Sequence, residues 1–152
     1  MPALFRKPLF RAINQINKNT AWLDYLKNPL LLLARLYVAQ IFFVAGLTKL
    51  RDWETTLYLF ESEYQVPLLN DELAAWLGTI GEVALPVLLV LGILTRLAAL
   101  GLGVVNIVAV VSLAEIAPAA LQQHYLWAVL LLGILVTGGG QLTLDRLAQQ
   151  TD

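Results

Sequence analysis

Four long apolar runs organise this chain, at about residues 30–50, 73–93, 97–116 and 121–137. Each is close to the roughly 20 residues that carry a helix across a bilayer. The breaks between them are built from turn-forming residues: Val66-Pro67, the tight turn from Gly92 to Arg96, Pro118, and the triplet Gly138-Gly139-Gly140. Between the first two runs lies RDWETTLYLFESEYQVPLLNDE, in which Trp53, Leu57, Phe60 and Tyr64 are spaced four, three and four. That spacing gives one apolar helical face, and predicts a helix in the membrane interface with aromatic anchors. Residues 1–28 place Leu9, Phe10, Ile13 and Ile16 at roughly helical spacing among basic residues. They read either as a basic amphipathic segment on the inner membrane surface or as a partly ordered tail. After the fourth run, Thr143 is placed to cap a short helix, LDRLAQQ, and residues 148–152 form a tail.

Composition strengthens the membrane reading. The chain is 59% hydrophobic and 14% charged, against about 25% charged in a typical soluble domain. The expected fold class is all-α: an integral membrane four-helix bundle over residues 29–147, with short amphipathic interfacial segments. Basic residues near the ends of the runs set the orientation. Arg6, Lys7, Arg11, Lys18, Lys27, Arg96 and Arg146 fall on one side, and Lys49 and Arg51 on the other. Both termini are therefore expected in the cytoplasm, and a cleavable signal peptide is not expected, because no apolar core follows a short basic start.

The same composition excludes several chemistries. Without cysteine there are no disulfides, thiolate metal sites or CxxC redox centres. His124 is the sole histidine and Met1 the sole methionine, so neither a doubly ligated haem nor a histidine-rich metal site is expected. Any redox group must be borrowed. Ten basic and eleven acidic residues give no reason to expect nucleic acid.

Polar side chains inside the runs are the candidates for function, since such residues usually face a protein interior or a wet cavity. Arg35, Ala39, Phe42, Gly46 and Lys49 share one face of the first helix. Gly78, Glu82, Leu85 and Leu89 do so on the second, and Arg96, Ala99, Gly103 and Asn106 on the third. Arg35, Gln40, Glu82 and Asn106 are the intramembrane candidates. By the expected spans, Arg35 and Glu82 differ in depth by about 9 Å. Two states stay open: an ion pair with Arg35, or a protonated Glu82 bonded to Gln40 or Asn106. Pro86 lacks the amide that would bond the Glu82 carbonyl, so one turn offers a carboxyl and a freed carbonyl together. Near the opposite surface, Lys49, Glu115 and His124, with Trp53 and Tyr125, are candidates for a shallow periplasmic-face pocket. Gly78-x-x-Gly81 and Gly101-x-Gly103 read as surfaces for close helix packing.

Several of these stretches resemble the DoxX family of small four-helix bacterial membrane proteins. They are ARLYVAQIFFVAGLTKLRDW, GEVALP, LGILTRLAAL and GGGQLTLDRL, in that order and spacing. The likeness covers about residues 30–147, and the positions that carry over are Arg35, Gly46, Lys49, Glu82, Gly92, Arg96 and Asp145, none with a transferable catalytic role. The resemblance implies an inner-membrane bundle with a partner in redox or stress pathways. Three functions follow as expectations. The first is an accessory subunit that recruits other membrane or periplasmic proteins in an oxidative- or metal-stress system. The second is a quinone-interacting oxidoreductase component with its site around Glu82. The third, ranked last, is permeation of a small solute or ion through a homo-oligomer.

Overall fold

The computed structural model describes residues 10–11, 14–15 and 17–150, so much of the expected basic segment over residues 1–28 lies outside the described residues. From Asn17 the backbone is helical, and a 3-10 turn at Ala21–Leu26 leads into α1, Lys27–Arg51. It is followed by α2 (Trp53–Ser62), α3 (Asp71–Leu91), α4 (Thr95–Val111), α5 (Pro118–Thr137) and α6 (Leu144–Ala148). Among the described residues there is no strand. Three helical stretches, Asn17–Arg51, Asp71–Leu91 and Pro118–Thr137, are long and apolar enough to cross a membrane, and Thr95–Val111 is a shorter apolar helix.

Side-chain caps fix where the helices begin. Asp52 accepts from the Thr55 amide at 3.0 Å and from the Thr55 hydroxyl at 2.8 Å, which opens α2 one residue after α1 ends. Asn70 accepts from the Leu73 amide at 2.8 Å to open α3, and Thr143 caps α6 by accepting from the Arg146 amide, as its position predicts. Such caps satisfy amides that have no partner within the helix. Gly92 ends α3 at φ +70, a left-handed conformation that side chains disfavour.

Two boundaries differ from those read along the sequence. The third apolar run was expected to stay helical to residue 116, but α4 stops at Val111. The Ser112 hydroxyl turns back onto the Val108 carbonyl at 2.6 Å, and the Ser112 carbonyl accepts from the Gln65 amide at 2.8 Å. An isolated antiparallel bridge between Tyr64 and Leu113 completes this small tie. A tertiary hydrogen bond thus takes the carbonyl that helix continuation would need. Pro118 does not close the preceding helix. It opens α5 from the first turn, where its fixed φ is suitable and its missing amide costs nothing.

The helices pack in sequence, α1 on α3, α3 on α4, α4 on α5, with α5 returning to α1. Their shared core is Val38, Ala39, Phe42, Leu89, Ala98, Ala99, Leu102, Leu131 and Ile134. The stripe expected on α1 is the one that turns inward: Arg35, Ala39, Phe42 and Gly46 are buried and Lys49 is half-buried. Gly46 permits the close approach of α1 and α3. A Cβ there would lie 2.7 Å from Val83 Cγ2 and 3.0 Å from Glu82 Cβ. On α4 the buried face is rotated from the expected stripe. Arg96 is exposed, and the inward residues are Thr95, Ala98, Ala99, Leu102 and Asn106. The aromatic face of α2 packs on α3, where Phe60 joins Ala74 and Ala75, flanked by Trp53, Leu57 and Tyr64.

Candidate functional site

The polar residues inside the helices do not converge on one centre. They form three clusters at different depths. The most buried is centred on Arg35, whose side chain is fully enclosed. Its guanidinium donates to four carbonyls: Leu89 at 2.9 Å, Val90 at 2.8 Å, Gly139 at 3.0 Å and Leu142 at 2.8 Å. Two of these end α3 and two belong to the glycine-rich segment after α5. A planar fork with five N–H donors suits several acceptors arranged around it. Carbonyls at a helix C-terminus also carry the negative end of the helix dipole.

Asp145 completes this end of the molecule. Its carboxylate accepts from the Leu94 amide, the Thr95 amide and the Thr95 hydroxyl, at 2.8, 2.8 and 2.7 Å. Burial opposes its charge, but the hydrogen bonds from Thr95 and Leu94 and the Arg35 guanidinium outweigh that, and hold the carboxyl below the usual aspartate range. The Asn28 side chain accepts from the Gln141 amide at 3.1 Å, so the start of α1 and the segment after α5 share one end. The segment GGGQLTLD therefore ties the helix ends together.

The second cluster is the ion pair of Lys49 and Glu82, the one ion pair among the described residues. Neither state foreseen for Glu82 is present. Arg35 is committed to the carbonyls of Leu89, Val90, Gly139 and Leu142, and Lys49, at the same end of α1 as the carboxyl, reaches it directly. Gln40 and Asn106 do not touch Glu82 either. Gln40 sits one residue beyond Ala39, about 100° round the helix, and is exposed in a shallow groove with Leu36, Phe43, Pro86 and Val90. Pro86 itself is buried within α3.

Lys49 and Glu82 lie on the wall of a cavity of about 360 Å³. Its other walls are apolar residues of α3 and α4, among them Leu77, Leu85, Val104 and Val108, and residues of α2 and the segment after it, Phe60, Tyr64, Val66 and Leu69. The hydroxyl-bearing residues Tyr64 and Ser112 also line it. Burial pushes the Tyr64 phenol above its ordinary value, and the negative charges of Glu82 and Glu63 add to this. Neither Tyr64 nor Ser112 was singled out from the sequence as a site residue. Tyr64 was visible as the last member of the aromatic face, whereas nothing local marks Ser112.

The third cluster joins α4 and α5. The Asn106 amide donates to the His124 carbonyl at 3.1 Å, and Asn106 Oδ1 faces His124 Nδ1 at 2.8 Å. With the oxygen as acceptor, Nδ1 carries the hydrogen and Nε2 keeps its lone pair. The His124 ring meets Trp127 edge-on at 4.8 Å, and Trp127 meets Phe42 at 5.8 Å. The five residues grouped near this surface from sequence are thus divided: Lys49 pairs with Glu82, His124 with Asn106, Trp53 meets Trp76 at 4.3 Å with the rings tilted by 42°, and Glu115 and Tyr125 are exposed. Among the described residues no group of three or more histidine or acidic side chains is placed to hold a metal ion.

Comparison with known proteins finds a match to the DoxX family model over residues 30–115. This spans more than half of the chain, from α1 to just beyond α4, and includes Arg35, Lys49, Tyr64, Glu82 and Ser112. The likeness at the C-terminal glycine-rich segment lies beyond the matched residues. No curated protein and no solved structure matches the chain.

Proposed function

The chain belongs to the DoxX family, and on that premise we propose that it is an inner-membrane component of a redox system that binds a quinone-class ligand beside Lys49 and Glu82. The observation that carries this reading is the cavity. It is mainly apolar, as an aromatic ring requires, and its polar groups are gathered on few residues, the usual character of a small-molecule site. A quinone carbonyl needs hydrogen-bond donors. The Lys49 ammonium has three N–H groups, of which Glu82 engages one. The Tyr64 hydroxyl, kept protonated by its surroundings, is another.

Each residue then has a role that this chain can perform. Phe60, Leu85 and Val105 exclude water from the ring, Lys49 and Tyr64 orient its oxygens, and Glu82 fixes the ammonium while balancing its charge. When bound, the quinone supplies a carrier of electrons and protons. The chain has no cysteine and a single histidine, so electrons reach that carrier from a partner protein, and the chain is an accessory subunit in this sense. Seven basic residues against two at the ends of the apolar runs support cytoplasmic termini, with α1, α3, α4 and α5 as four crossings and the cavity in the periplasmic half.

The test is direct. Protein purified in mild detergent is extracted for lipid-soluble quinones, and binding of an added decyl-tailed quinone is followed by quenching of the native tryptophans. Tyr64→Phe keeps the packing and loses the hydroxyl, so affinity falls about tenfold, the worth of one good hydrogen bond to a buried acceptor. Protein that neither carries nor binds a quinone would rule the reading out.

A further inference from the structure

The shape of the cavity says more about its occupant, given the binding reading above. Its volume of about 360 Å³ is near the lower end of the roughly 300–1,000 Å³ found for small-molecule pockets. That is room for a substituted ring and not for a long chain folded in with it. One side of the cavity is covered by the segment after α2, where Tyr64, Val66 and Leu69 form part of the wall. This segment is tied to the end of α4 by the bond from the Gln65 amide to the Ser112 carbonyl and by the Tyr64–Leu113 bridge.

The α3–α4 side is different. Towards the Arg35 end these helices are in tight contact, with Leu85 packed against Gly101 so closely that a Cβ there would lie 2.7 Å from Leu85 Cδ1. The contact continues to Gly81, where a Cβ would lie 3.1 Å from Val105 Cγ2, and the cavity wall there carries exposed apolar side chains. Leu77 on α3 and Val104 on α4 both line it, yet they are 51% and 53% exposed. Both are apolar and both lie on helices that present leucine, isoleucine and valine outward along their length, so the surroundings they face are hydrocarbon. The cavity therefore opens sideways into the bilayer, between α3 and α4.

We propose that the ring seats against Lys49 and Tyr64 while a hydrophobic tail leaves through the α3–α4 cleft past Leu77 and Val104, so the occupant is a tailed, membrane-resident molecule that enters from the side.

Two variants and two ligands test this. Val104→Phe and Leu77→Phe enlarge side chains at the rim that already have space beside them, so the fold is retained, which a thermal melt verifies. They narrow the cleft and leave the residues that hold the ring in place. Affinity for the decyl-tailed quinone falls about tenfold in both variants, and affinity for the same ring without a tail falls by a clearly smaller factor. Equal effects on the two ligands, or none on either, overturn the side route while binding itself stands. If the unaltered protein binds neither ligand, the binding reading fails together with this one.

Discussion

Replacement of Arg35 by methionine isolates the contribution of the most buried polar cluster. Methionine matches the apolar stem of arginine but has no donors, so four carbonyls lose their partner. They are not equivalent. The bonds to Val90 and Leu142 are partly exposed, and water can replace the guanidinium there. Those to Leu89 and Gly139 are buried. Two stranded buried acceptors at about 1–3 kcal/mol each give a loss of about 4 kcal/mol. For a chain of 152 residues that corresponds to a melting temperature lower by roughly 8–16 °C. Arg35→Lys keeps a charge on a shorter set of donors that serves one of the two buried acceptors, so its loss is about half as large. Both are read as thermal melts in one detergent at one pH, with size-exclusion profiles to confirm the folded state. An Arg35→Met protein melting within about 2 °C of the unaltered chain would refute the argument that these carbonyls depend on the guanidinium.

The Lys49–Glu82 pair should respond asymmetrically. The Lys49 side chain is 22% exposed and that of Glu82 8%, so the lysine can turn to water when its partner is lost and the carboxylate cannot. Lys49→Met should cost about 3 kcal/mol and Glu82→Gln no more than about half of that, and the reverse order in chemical denaturation contradicts this account. Gly46→Ala should destabilise by about 1–3 kcal/mol, because its Cβ meets the α3 backbone and Cβ atoms that cannot move aside. Gly103→Ala is the control. A Cβ there has nothing within 4 Å, so the exchange should be neutral or stabilise by up to about 1 kcal/mol through helix propensity. Asp145→Asn should cost about 1 kcal/mol at neutral pH, the usual worth of a cap. Because the folded carboxyl titrates below its unfolded value, its contribution is complete above about pH 4 and lost as the pH falls further. The difference in melting temperature between variant and unaltered chain should therefore narrow below pH 4, and a constant gap contradicts the assignment.

Much of the helical layout is legible in the order of apolar runs and breakers. The inward stripe of α1 is legible too, since a single face collects Arg35, Ala39, Phe42, Gly46 and Lys49, and only one face of a membrane helix can afford to be both small and charged. What the residues do not reveal is which polar group meets which. Opposite charges invited the pairing of Arg35 with Glu82, yet the partners of Arg35 are backbone carbonyls, which every residue possesses and no sequence pattern marks. The cavity is hidden for a related reason. Its walls are ordinary leucines and valines of α3 and α4, covered on one side by the segment after α2, which is tied to Ser112. That tie is also what ends α4 early, a tertiary hydrogen bond prevailing over an apolar run that would otherwise continue as helix.

The order in which Arg35 acquires its partners bears on how the protein is made. The carbonyls of Leu89 and Val90 are available once α3 is inserted beside α1, but those of Gly139 and Leu142 are synthesised about fifty residues later. Until then the guanidinium has only two of its four carbonyl partners. Arrival of the glycine-rich segment completes its coordination and at the same time delivers Asp145 to the start of α4. Full coordination of Arg35 thus waits for the segment that follows α5. A chain cut before residue 138 would keep nearly all of its apolar helices and yet lack two of the four partners of Arg35.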